Sequence, residues 1–144
     1  MLIRNRRRRL ALLLAAAMLL GNRPAAQAAD ENVYIYSTED LLRVAEQCAL
    51  DSWSKGRTVT LAADLDLKGE NFVPFPIFCG VFDGQGHTIS GLRVAESGSS
   101  MGLFRILQED AVVRDLTVAG TVSPSGSASQ VGGLVGVNRG SVQN

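Results

Sequence analysis

The sequence is poor in the residues that hold metals. Cys48, Cys79 and His87 are its only cysteines and its only histidine. A structural zinc site uses four such ligands, so that chemistry is excluded. The two cysteines leave two readings open. Paired, they would close a loop of 31 positions and add about 3 kcal/mol if the geometry fits. Unpaired, they are small buried hydrophobes.

A long apolar run is also missing. Leu10 to Leu20 covers 11 residues, whereas a spanning helix needs roughly 20. The flanking residues give the run another meaning. Arg4, Arg6, Arg7, Arg8 and Arg9 precede it, and Ala26 and Ala28 come after it in an A-x-A arrangement. A basic head, a short apolar run and a small-residue exit predict a secretory signal peptide over residues 1–29. The alternatives are an uncleaved anchor or a buried helix. No full twin-arginine motif accompanies the arginines.

Basic charge is scarce after that segment. The whole chain balances 14 basic residues against 14 acidic ones, but all 14 acids and only 8 of the bases follow Ala29. The mature chain thus carries about six net negative charges. Nucleic acid and anionic lipid, which require basic patches, are disfavoured as partners. The remaining length suits one small domain.

Residues 30–57 predict a strand and a helix. In 30-DENVYIY-36, Val33 and Ile35 fall on one side, Tyr34 and Tyr36 on the other. Ser37 is a good N-cap for a helix over 38–55, with Glu39 and Asp40 in its first turn. Leu41, Leu42, Ala45, Cys48, Ala49 and Trp53 form its apolar face. Gly56 ends it. This helix is expected to cap the open end of the strand-rich region 58–144, with Trp53 as its largest buried contact.

Residues 58–144 predict strands. In 58-TVTLAADLDL-67, Val59, Leu61, Ala63, Leu65 and Leu67 alternate with Thr58, Thr60, Ala62, Asp64 and Asp66, giving one strand with one buried face. Pro74 and Pro76 make 68–78 a loop. From Phe78 onward short apolar runs alternate with Gly, Ser and Asn, and they repeat. The pattern 89-ISGLRV-94 returns as 113-VRDLTV-118, 24 residues later. The segment 102-GLF-104 returns as 133-GLV-135, 31 residues later, and 142-VQN-144 opens a third copy of the first pattern. Such returns are the signature of a stacked array. The units are strand-like, so a parallel β-helix fits best. In 82-FDGQGHTISGL-92, Phe82 and Ile89 are expected inward, Asp83 to Gly86 to form a sharp turn with φ > 0, and Leu92 and Val94 to begin the next buried face.

Together, TVTLAADLDL, FDGQGHTISGL, VRDLTV and 132-GGLVGVNRGSVQN-144 resemble bacterial GLUG-motif proteins across roughly residues 33–144. The GLUG element is Gly133-Leu134-Val135-Gly136, followed by Asn138, Gly140 and Val142. The resemblance implies an all-β fold, a right-handed parallel β-helix like that of pectate lyases, placed at the cell surface or secreted, often in adhesin-like proteins. It implies no particular ligand. Family members carry many such repeats. Here the third copy stops at Asn144, just before its Leu-equivalent position, so the chain is expected to be a fragment of a larger protein.

Parallel β-helices also host polysaccharide lyases and glycoside hydrolases. That chemistry needs two carboxylates across a groove, or acids holding Ca²⁺ beside a basic residue. Asp64, Asp66 and Asp83 are the candidate acids. Asp64 and Asp66 are read as a solvated strand face, and Asp83 as a turn residue bonding nearby backbone N–H groups. His87 has a suitable pKa for a general base but no evident nucleophile or orienting acid, and is read as structural. The glycines of 131-VGGLVGVNRG-140 lack the context of a phosphate cradle and are read as tight corners. Phe72, Phe75, Phe78, Phe82 and Phe104 could offer a stacking surface for sugars; core packing is preferred.

The expectation is therefore a non-enzymatic, exported surface protein. No catalytic residue, cofactor or metal ligand is assigned. Glycans or surface proteins of a host or the environment are the expected partners, with self-association through the open solenoid end. The competing reading is part of a β-helix lyase or hydrolase whose catalytic coils are missing; a third is a spacer.

Overall fold

Every strand pairing in the described residues is parallel. The computed structural model describes residues 31–144, and the signal peptide expected over 1–29 lies outside them. The chain runs through β1 (Asn32–Ile35), α1 (Thr38–Gln47), α2 (Asp51–Ser54), β2 (Thr58–Leu61) and β3 (Leu65–Asp66). It continues through β4 (Val81–Asp83), β5 (Thr88–Val94), β6 (Ser100–Met101), β7 (Phe104–Leu107) and β8 (Val112–Arg114). It closes with β9 (Thr117–Val122), β10 (Gln130–Val131), β11 (Val135–Asn138) and β12 (Ser141–Gln143). The five-stranded sheet has the order β1-β2-β4-β8-β12 and the three-stranded sheet β3-β5-β9. The pairs β6–β10 and β7–β11 complete the set. The fold is all-β, and in each sheet the strands stand in chain order.

Register turns sequence alternation into continuous apolar rows. Val33, Val59, Phe82, Val113 and Val142 are successive partners across the five-stranded sheet. Leu65, Ile89 and Val118 do the same in the three-stranded one. Phe82 of the first row belongs to a phenylalanine cluster. Phe75, Phe78, Phe82 and Phe104 are fully buried, with the Phe75 and Phe104 ring centroids 4.7 Å apart and Phe82 5.5 Å from Phe104. Phe72, at 2% exposure, joins it against Phe75. The five phenylalanines are core, and none offers a face to solvent. Their segment also pairs: Phe75 bridges to Phe104 and Phe78 to Leu107, so 68–78 is a loop pinned at isolated points.

The helical segment is two helices, not one over 38–55. The hydroxyl of Ser37 accepts from the Asp40 N–H at 3.2 Å, as an N-cap does. The run then breaks at Cys48–Leu50, where Leu50 takes an extended conformation, and restarts at Asp51. The apolar face is narrower than expected. Leu41, Val44, Ala45 and Cys48 are buried against the core, whereas Leu42 is 40% exposed and Ala49 is exposed. Trp53 is only partly buried, with the Arg57 guanidinium 4.8 Å above its ring.

The strand expected over 58–67 is likewise divided. β2 belongs to the five-stranded sheet and β3 to the three-stranded one, so the chain turns at Ala62–Asp64. Val59, Leu61, Leu65 and Leu67 keep their inward places, but Thr60 is buried too.

The strand register differs in part from the sequence match. Val113 pairs with Phe82, and Ile89 pairs with Val118. The segment 89–94 lies within one strand, whereas 113–118 turns a corner at Asp115, which has φ 50°. The match of 102-GLF-104 with 133-GLV-135 does coincide with structure, because Phe104 pairs with Val135. Val142 lies beside Val113, as the third copy requires.

Candidate functional site

The corner after β2 places the most chemistry in one region. Turning at Ala62–Asp64 carries the Asp64 side chain to the next strand down the sheet. One carboxylate oxygen accepts the Thr88 N–H at 2.9 Å and lies 3.1 Å from His87 Nδ1. The Thr88 N–H, followed by His87, holds the Asp64 carboxyl below its usual range. His87 therefore has an acid oriented on its ring, which the sequence alone did not disclose. The side chains are one-third and three-quarters exposed, so the contact joins two corners at the surface.

A groove of about 430 Å³ lies alongside. Ser37, Thr38 and Glu39 line it from the start of α1, and Asp64 to Lys68 with Glu70 line it from β3 and its turn. Its acids do not act as a unit. Asp66 accepts the Lys68 N–H at 2.8 Å, closing a turn in which Lys68 has φ 57°. Among the described residues no three His, Cys, Asp or Glu side chains converge on a metal position.

Asp83 sits elsewhere. It accepts the Gln85 N–H at 3.0 Å, the turn role expected of it, and its other oxygen meets Arg114 at 2.9 Å. Asp83 and Arg114 are direct register partners on β4 and β8. A basic residue is thus paired with one of the candidate acids, which the sequence did not lead us to expect. The turn has Gln85 at φ 49° and Gly86 at φ 77°. Gly84 is required for another reason: a Cβ there would overlap the Asp115 carbonyl and lie 2.7 Å from Leu116 Cα. The opposite corner approaches too closely for any side chain.

The cysteines are unpaired. Cys48 is fully buried, and burial pushes its thiol up to about 12. Cys79 is half-buried and lines a second groove, of about 400 Å³, between α2 (Asp51, Ser52, Lys55 beyond its end) and the turn at Gln108–Asp110. Of the glycines expected at corners, Gly132, Gly133 and Gly140 lie outside the strands, whereas Gly136 lies within β11, close against the backbone of Met101 and Arg105.

Two aromatic rings do reach solvent. Tyr34 and Tyr36 are exposed and stacked, with centroids 6.2 Å apart and planes at 25°. Alternation in 30–36 places both off the core side, a signal the sequence already carried. The Asp64–His87 and Asp83–Arg114 contacts had no such signal, because they span 23 and 31 residues and depend on register.

No family model matches the chain, and no curated protein or solved structure is similar to it at a significant level.

Proposed function

We propose that this chain forms coils of a right-handed parallel β-helix in an exported protein that acts at the cell surface or after secretion, as an adhesin-like binder or a structural scaffold. The observation that carries the reading is the ordering of the sheets. Each sheet holds its strands in chain order and every neighbour is parallel, which is what successive coils of one solenoid produce. The likeness to GLUG-motif proteins and the signal-peptide pattern of residues 1–29 support export. A non-catalytic role is supported by how the acids are used: Asp64, Asp66 and Asp83 each accept a backbone N–H at a corner or turn. Glycans or surface proteins are the partner classes that fit such a binder.

Two measurements test the reading. Residues 1–29 fused to a phosphatase that works only outside the cytoplasm should give phosphatase activity; none would remove the export claim. Purified residues 30–144 should bind a glycan array or immobilised surface proteins without altering the glycans. Binding to neither would leave the scaffold role, and release of new sugar ends from a polysaccharide would replace the reading with an enzymatic one.

A further inference from the structure

We draw no further inference here: the strongest candidate, the half-exposed apolar face that Val118, Val131, Val135 and Val142 present along β9 to β12, carries nothing because nothing in the structure shows what covers it.

Discussion

Gly84 and Gly86 stand two positions apart in one turn and are glycine for different reasons. At Gly84 the obstacle is backbone from the neighbouring corner, which has no flexible end to move aside. At Gly86 the space is open and only the positive φ disfavours a side chain. Gly84→Ala should therefore cost about 3 kcal/mol, and Gly86→Ala about 1 kcal/mol. Thermal melts of the two variants should separate them clearly; equal losses would mean that the corners do not approach as described. Asp64 makes the second residue-level prediction. Its folded pKa is depressed, so its contribution to stability is present above the unfolded value, near 3.9, and is lost as pH falls through the folded one. Asp64→Asn should flatten the acid limb of the stability profile. His87→Ala should leave the Asp64 carboxyl depressed, since the Thr88 N–H is the larger cause; carboxyl NMR titration reads this directly.

At the scale of elements, composition and spacing reveal strand and helix but not where one sheet hands over to another. The alternation of 58–67 is unbroken in sequence, yet Asp64 leaves it to satisfy Thr88, a partner 24 residues away. No local pattern encodes that. The Ser37 cap was legible because it is local: a hydroxyl three residues before the N–H it accepts. The break at Cys48–Leu50 was not, because Ala49 and Leu50 are compatible with helix and only packing turns them outward. The buried phenylalanines were legible as core in type, though not as one cluster, since Phe72 to Phe78 lie in a proline-bearing loop. Phe104 is the element-scale test. It lies within 5.5 Å of Phe75, Phe78 and Phe82, so Phe104→Ala should cost about 3–5 kcal/mol. Chemical denaturation should show a midpoint shift of that size; a loss under about 1 kcal/mol would contradict the cluster.

For the whole molecule, burial is uneven along the rows. Phe82, Ile89 and Val113 are closed in between strands on both sides, while their partners Val118 and Val142 are only partly covered. Amide hydrogen exchange should track this gradient. Protection in β4, β5 and β8 should exceed that in β10 and β12 by at least about tenfold. Uniform protection would show a single cooperative unit with no graded end.

The chain order of the sheets also has a kinetic meaning. The cross-strand side-chain bonds span 23 to 31 residues, so no strand finds its partner within a hairpin. Such non-local pairing is slow to nucleate from a free unfolded chain. Whenever the chain emerges N-terminus first, from the ribosome or across a membrane, each strand appears after the one it docks on, and β1 and β2 precede β4. Growth by addition then replaces a search, and the order of emergence fixes the order in which the strands pair.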